Sequence, residues 1–317
     1  MADTVTFTPV DGIGEVQPGD DLAAVIADRV ELADGDVVVV TSKVVSKSLG
    51  LATTRAKDDL LTEQTDRVVA RRDQTLIVRT HHGLTMAAAG IDGSNTAPGT
   101  LLPLPADPDG EARRLRSRLR DLTGRTVGVV VSDTAGRAWR NGQTDIAIGC
   151  AGLVPVESFA GREDAHGQPL VVTAPAVADE VAGGAELASG KLGGRPVVVV
   201  RGLASHLLTA DDGPGAAAIV REENGDLFGL GARDAVVEAL ADSGSVVRGF
   251  PATDVEAAAL VHLAGVPDGV DVTIGEVVLV ESPARRAVEA GMFVQRLLAL
   301  ATAHGRATKV DVRVTGA

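Results

Sequence analysis

Residues 129 to 152, VVVSDTAGRAWRNGQTDIAIGCAG, hold the densest mixture of reactive side chains in the sequence. An apolar, β-branched run reads as a buried strand stopping at Ser132, Asp133 and Thr134, which puts a carboxylate and two hydroxyls at a strand end. Gly136, Arg137, Arg140, Asn141, Gly142, Thr144 and Asp145 follow, adding small residues for close backbone approach, two guanidiniums and a second carboxylate. Arg makes forked contacts to phosphate or carboxylate, and Asp gives hard oxygen to Mg²⁺ or Mn²⁺, so the mixture suits an anionic ligand held through a metal. A polar loop with a structural Arg–Asp pair fits the same spacing.

Other segments supply smaller sets. Asp11-Gly12-Ile13-Gly14-Glu15 follows a short strand, but no further glycine falls at the dinucleotide spacing, so it reads as a turn whose N–H groups can approach a ligand. In VVVVTSKVVSKSLG, Ser42, Lys43, Ser46 and Lys47 gather at one end of a valine strand; lysines four apart share a face if the segment is helical, with mild repulsion unless an anion lies between them. Asp92, Ser94 and Asn95 close a small-residue turn, either an Asx-turn or a metal carboxylate with an amide beside the ligand. His81 and His82 are adjacent, which on a strand points them to opposite faces and makes them a poor metal pair. Gly190-Lys191 resembles a P-loop, yet the first glycine is displaced by one position and Leu192 replaces the hydroxyl residue. Glu186 just upstream reads as an exposed helix carboxylate or a metal ligand.

Composition narrows the functional classes. A net charge of −13 argues against a nucleic-acid partner, and 2% aromatics with no Tyr argue against stacking platforms for bases. The single Cys150 excludes an intramolecular disulfide and a multi-cysteine zinc site. MADTVTFTPV lacks the basic and apolar regions of a leader, and no apolar run approaches membrane-spanning length, so the expectation is a cytoplasmic protein without a membrane partner.

The elements that must position these residues are valine-rich strands and flanking helices. Strands are expected at 5–9, in DVVVV, in QTLIVRT, at 129–132, at 170–173 and in PVVVV, and helices after Pro18 through Val30, over 55–74, in the arginine-rich EARRLRSRLRDLTG with a solvated face, and in TAPAVADEVAGGAELASGK. Beyond Phe228, ARDAVVEALADSG, the segment 254–264, VTIGEVVLV as one strand, ARRAVEAGMFVQRLLALATAHG and KVDVRV make a small α/β module. Both nucleotide-loop fingerprints fail, so the fold class is α+β: a mixed Val-rich β core with flanking helices, not Rossmann or P-loop, and a small C-terminal α/β extension. The expected domains are 1–230 for binding and chemistry and 231–317 of unassigned role.

Taken together, GIGEVQPGDDL, DVVVVTSKVVSKSLG, AGIDGSN, VVVSDTAGRAWRNGQTDIAIGCAG, ADEVAGGAELASGK with GGRPVVVVRG, and DLFGLG resemble the coenzyme F420-0:L-glutamate ligase family, in family order over residues 5 to about 230. The resemblance implies a GTP-dependent ligase of coenzyme F420 biosynthesis that adds L-glutamate to the lactyl-phosphate end of a deazaflavin through an acyl phosphate. It implies a GTP site from Gly12, Ile13, Gly14, Glu15, Ser42, Lys43, Lys47 and Asn95, extended by Ser189, Gly190 and Lys191. It places Mg²⁺ or Mn²⁺ on Asp92, Asp133 and Thr134, with Glu186 as a further ligand, and leaves room for a monovalent cation such as K⁺. Lys43 and Lys47 would offset phosphate charge, and Arg137 or Arg140 would hold the acceptor or the glutamate carboxylates. The resemblance also suggests a homodimer. Two departures stand out: the segment between Lys47 and Asp92 is short for the family, and the last 85 or so residues lack the look of a complete nitroreductase-like flavin domain, so FMN is not carried over. The alternatives are an amide ligase acting on another small carboxylate, or a nucleotide- or deazaflavin-binding module without turnover.

Overall fold

The structure is a computed structural model that describes residues 4–316 apart from 95, 223, 224, 227, 242–249 and 251. Asn95, residue 227 of the DLFGLG segment and residues 242–244 of the predicted ARDAVVEALADSG helix therefore lie outside the described residues. The chain divides into two compact units, 1–221 and 222–317.

The first unit begins with β1 (Thr6–Pro9), α1 (Leu22–Ala27), β2 (Val37–Thr41), α2 (Ser42–Ser48), α3 (Lys57–Gln64), β3 (Thr65–Arg72), β4 (Thr75–Thr80) and β5 (Thr85–Ala87). It continues through α4 (Pro108–Thr123), β6 (Gly128–Gly136), β7 (Gln143–Ala151), β8 (Arg162–Glu163), β9 (Pro169–Leu170), α5 (Val177–Ser189) and β10 (Val197–Arg201). Its central sheet has the order β1-β10-β2-β6-β7, and within it only β2 and β6 pair in parallel. That order is the mixed α+β core expected from the sequence, and it is not a doubly wound nucleotide fold.

The valine runs follow from burial on both faces. Val38, Val40, Val129, Val131, Val197 and Val199 pack on one side with Ile26, Leu115 and Leu119 from α1 and α4. Val37, Val39, Val130, Val198 and Val200 pack on the other with Val177, Val181 and Ala185 of α5. Asp21 caps α1 by accepting from the Ala24 N–H at 3.2 Å, as its position before the apolar run suggests. The helix ends at Ala27, so Val30 lies beyond it.

Helix α5 approaches β1 closely. A Cβ at Gly184 would stand 2.5 Å from Phe7 Cζ, which accounts for the glycine that imitated a phosphate loop in the sequence. Gly184→Ala must displace the ring, and we expect a loss of about 1–3 kcal/mol, read as a lower midpoint in urea.

Several expectations require correction. The predicted helix over 55–74 stops at Gln64, and Thr65–Arg72 is a strand paired with β4, because β-branched Val68 and Val69 favour the pleated, half-buried surface. The strand expected at 170–173 is only Pro169–Leu170; Val171 and Val172 are exposed. The strand carrying Asp133 does not stop there but runs on to Gly136 and turns back as β7. The arginine-rich helix does not have a uniformly solvated face. Arg116 is 5% exposed and donates to the carbonyls of Val127, Thr209 and Ala210 and to Asp212 Oδ1 at 2.7 Å.

The second unit contains α6 (Ala232–Leu240), α7 (Ala257–Ala264), β11 (Asp271–Ile274), β12 (Val278–Pro283), α8 (Ala287–Ala303) and β13 (Val310–Thr315). VTIGEVVLV is two antiparallel strands rather than one, turned at Gly275–Val277. Strand β13 pairs in parallel with β12. Phe293 and Leu297 of α8 pack with Leu260, Val278 and Val280, and Arg296 donates to the Ala264 and Gly265 carbonyls at the end of α7. Among the described residues no helix is long and apolar enough to cross a membrane.

Candidate functional site

The parallel pair sets the site. Strand β2 leaves the sheet at Thr41, opposite Ser132, while β6 continues through Asp133 and Thr134 paired to β7. The ladder skips Ile148 just before Ser132, a bulge that re-aims the side chains beyond it. Ser132, Asp133 and Thr134 then alternate across the pleat, so Asp133 faces one side and the two hydroxyls the other. Two polar groups result.

On the Asp133 side, α2 starts as β2 ends, and the Ser42 hydroxyl donates to Asp133 Oδ1 at 2.9 Å. Lys43 Nζ lies 2.6 Å from Asp92 Oδ2 and donates to Ser94 Oγ at 2.8 Å. Asp92 is held by the backbone bridge to Leu102 and also accepts from the Ser94 N–H at 2.6 Å. Lys47, one helical turn beyond Lys43, meets Glu15 Oε1 at 2.6 Å. The two lysines share a face, as their spacing predicts, and each stands against a carboxylate. Glu15 ends the Gly12–Glu15 segment, where Gly12 has φ +77 and a Cβ on Gly14 would meet nothing within 4 Å, which leaves the backbone open to close approach.

Electrostatics distinguish the carboxylates. Burial pushes the Asp133 carboxyl up to about 6; the Ser42 hydrogen bond opposes this, and the charges of Asp145 and Asp92 add to it. Burial also acts to raise Asp92, but the hydrogen bond and charge of Lys43 and the Ser94 N–H outweigh it and hold the carboxyl below its ordinary value. Cys150 is buried on β7 and its thiol is pushed up to about 12, which makes it packing and not a nucleophile.

On the other side, Thr134 donates to Asp145 Oδ1 at 2.7 Å and Ser132 donates to Asp145 Oδ2 at 3.0 Å. Lys191 Nζ donates to Thr134 Oγ1 at 3.1 Å and lies 3.9 Å from Glu186 Oε1. Glu186 Oε2 in turn accepts the Asp145 N–H at 3.1 Å. Ser189 donates back to the Glu186 carbonyl, and Gly190 ends α5 with φ +67, which turns Lys191 toward Thr134. Glu186 is thus a partner of Asp145 and Lys191 and not a free surface carboxylate.

Arg137 and Arg140 sit on the exposed tip between β6 and β7, where Arg137 donates to the Asn141 carbonyl at 3.0 Å. Trp139, between them, is 90% exposed with φ 62. The histidines lie in the turn after β4, where His81 Nε2 meets the Glu63 carbonyl at 3.0 Å. Asp145 stands out in the sequence as a second carboxylate, but its partners do not. Their signal was the small-residue turn RNG, which implies a hairpin register placing Asp145 opposite Thr134.

Among the described residues no three His, Cys, Asp or Glu side chains converge into an all-protein cage. Mg²⁺ is usually bound by one or two carboxylates together with substrate phosphates and water. Asp92 and Asp133 supply hard oxygens, and the charges of Asp145 and Asp92 that add to burial in raising the Asp133 carboxyl are negative charge that a cation would neutralise. The residues present fit such an ion.

A mixed α+β body with lysines, carboxylates and hydroxyls where two parallel strands end is the frame of an enzyme that positions and neutralises anionic groups. Residues 12–58 and 55–202 match the family described as F420-0:Gamma-glutamyl ligase, and the chain belongs to that family. The two matched stretches overlap at residues 55–58, around the start of α3. The chain is 40% identical over 220 residues to the coenzyme F420:L-glutamate ligase of Archaeoglobus fulgidus, covering 63% of this chain and 88% of that one. It is 36% identical over 246 residues to the enzyme of the same name from Methanopyrus kandleri, and 34% identical over 250 residues to that from Methanothermobacter thermautotrophicus, each covering 71% of this chain and 98% of the relative.

Proposed function

We propose that the protein joins L-glutamate to coenzyme F420-0 at the expense of GTP. The observation carrying this reading is the joint placement of Lys43, Asp92 and Asp133, with Lys47 beside the Gly12–Glu15 turn, inside the stretch that defines the family. The acceptor carboxylate attacks the γ-phosphorus of GTP and GDP leaves; the glutamate amine then attacks the acyl carbon, phosphate leaves, and the nitrogen loses a proton. Both steps call for positioning and charge neutralisation more than for a protein nucleophile. Asp92 and Asp133 would hold a divalent ion, whose charge would offset that of the phosphate groups. Lys43, now balanced by Asp92, and Lys47, now balanced by Glu15, would turn to the triphosphate held over the Gly12–Glu15 backbone. Arg137 and Arg140 would meet the acceptor phosphate or glutamate from the hairpin tip. Ser189, Gly190 and Lys191 would close the nucleotide side, and a homodimer accompanies this reading.

The test is incubation with F420-0, L-glutamate, GTP and Mn²⁺, following acceptor mass and GDP release. A glutamyl increment coupled to GDP supports the reading. Unchanged acceptor with GTP hydrolysis points to a different carboxylate substrate, and no reaction at all points to the binding module. Lys43→Met is expected to lower kcat/KM by roughly 10–10² through the loss of one charge-assisted contact to phosphate. Steady-state rates against GTP concentration check this, and an unchanged value would remove Lys43 from the nucleotide site.

A further inference from the structure

The two carboxylates that would hold the divalent ion meet consecutive residues of α2, and they meet them differently. Asp133 Oδ1 accepts the Ser42 hydroxyl at 2.9 Å, a donor without charge. Asp92 Oδ2 stands 2.6 Å from the Lys43 ammonium, a full positive charge. The same oxygen accepts the Ser94 hydroxyl at 3.0 Å, Oδ1 accepts the Ser94 N–H at 2.6 Å, and Ser94 Oγ accepts from Lys43 at 2.8 Å. Three of the roughly four acceptor positions of the Asp92 carboxylate are therefore in use, one of them by a cation.

A carboxylate neutralised in this way is a poor ligand. A divalent cation drawn to Asp92 meets the ammonium as a like charge at the same oxygen. With the Lys43 side chain 20% and the Asp92 side chain 39% exposed, water screens that repulsion only in part. Lys43 can leave at low cost only toward another anion. In the ligase reading above, on which this inference rests, that anion is the triphosphate over the Gly12–Glu15 turn, which Lys47 already meets through Glu15. We propose that Lys43 is an internal counter-ion that holds Asp92 against divalent cations until nucleotide phosphates draw it away, which makes the ion and the nucleotide bind with positive coupling. Linkage makes this reciprocal, because Lys43 displaced from Asp92 is available to phosphate.

The experiment is a titration of the full-length protein with Mn²⁺ and no nucleotide, following free Mn²⁺ by electron paramagnetic resonance. It compares wild type, Lys43→Met, Lys43→Gln and Lys47→Met. Lys43→Met is expected to bind Mn²⁺ more tightly than wild type by roughly 5–150-fold, the usual size of a coupling between two sites. Lys43→Gln, which keeps a polar head of no charge, gains as well and carries the test should the Met variant not fold. Lys47→Met stays near the wild-type value, because its ammonium is paired with Glu15. In an Asp92→Asn background Lys43→Met brings no gain. Unchanged or weaker Mn²⁺ binding by the folded Lys43 variants overturns the proposal, and weaker binding assigns Lys43 to holding the Asp92 turn in place. An equal gain in Lys47→Met, or a gain that survives Asp92→Asn, also overturns it, since the loss of any positive charge would then suffice. Glutamyl product from wild type together with unaltered Mn²⁺ affinity in Lys43→Met removes only this inference. Tighter Mn²⁺ binding by Lys43→Met, in a protein whose wild type makes no glutamyl product, removes the ligase reading and leaves the competition for Asp92 standing.

Discussion

Asp133→Asn is expected to lower kcat/KM for glutamyl transfer by about 10³-fold or more. Metal-borne charge stabilisation at a transferring phosphoryl group contributes several kcal/mol, and about 4 kcal/mol corresponds to three powers of ten in rate. The side chain keeps its shape and can still accept from Ser42, so the loss isolates the charge that holds the cation. Mass analysis of the acceptor at saturating Mn²⁺ reads this directly; a variant within tenfold of wild type would remove Asp133 from the metal site. Stability should move the other way. The folded carboxyl is raised to about 6 by burial and by neighbouring Asp145 and Asp92, so the native state prefers it protonated. That preference costs nothing at pH values below the unfolded carboxyl's pKa, grows as pH rises between that value and 6, and is constant above. In EDTA the Asn variant should therefore match wild type near pH 4 and exceed it by roughly 1–2 kcal/mol above pH 6. Thermal melts at the two pH values provide the check, and a variant less stable than wild type at high pH would contradict the electrostatic account.

Arg116→Met is expected to destabilise the first unit by roughly 2–4 kcal/mol, because the carbonyls that the buried guanidinium satisfies lose their donor while Asp212, 47% exposed, can turn to water. The guanidinium ties α4 to the Val127 carbonyl preceding β6 and to Thr209, Ala210 and Asp212 of the segment after β10. Methionine fills much of the volume and strands the carbonyls. Arg116→Lys should recover little, because an ammonium cannot spread its donors as the planar guanidinium does. Gly152, with φ +74, adds a constraint from the other side: a Cβ there would lie 2.4 Å from Arg116 Nε. A urea titration decides the matter, and a loss below about 1 kcal/mol would show that water replaces the guanidinium at little cost.

The valine strands and most of the helices were legible because burial on both faces leaves continuous apolar runs and because Asp21 marks a helix start, whereas the arginine-rich helix begins at Pro108, three residues before the Glu111 expected from the sequence. The candidate site was legible in pieces. Lys43 and Lys47 gave their shared face, and Asp92 and Asp133 gave their chemistry, but nothing local says that Ser42 reaches Asp133 across 91 residues. Asp145 was visible as a carboxylate, but its pairing with Ser132 and Thr134 was not, because β6 reads as finished at Thr134 and its polar end is held by cross-strand pairing invisible in a single segment. Arg116 escaped for a related reason. Five arginines on one helix have the same local pattern, and only the carbonyls of distant residues select one for burial. The segment 65–72 shows tertiary pairing with β4 overriding charged, helix-compatible residues.

The sequence contains one tryptophan and no tyrosine, and the tryptophan stands in water at the tip of the β6–β7 hairpin. The chain thus has a single strong intrinsic fluorophore placed outside every hydrophobic core. Its emission should already be that of a hydrated indole in the native state and change little when the core unfolds, so fluorescence melts and circular dichroism melts will disagree. The same placement makes it a background-free optical reporter of whatever docks between Arg137 and Arg140, with quenching or energy transfer to a bound chromophore measurable without any label.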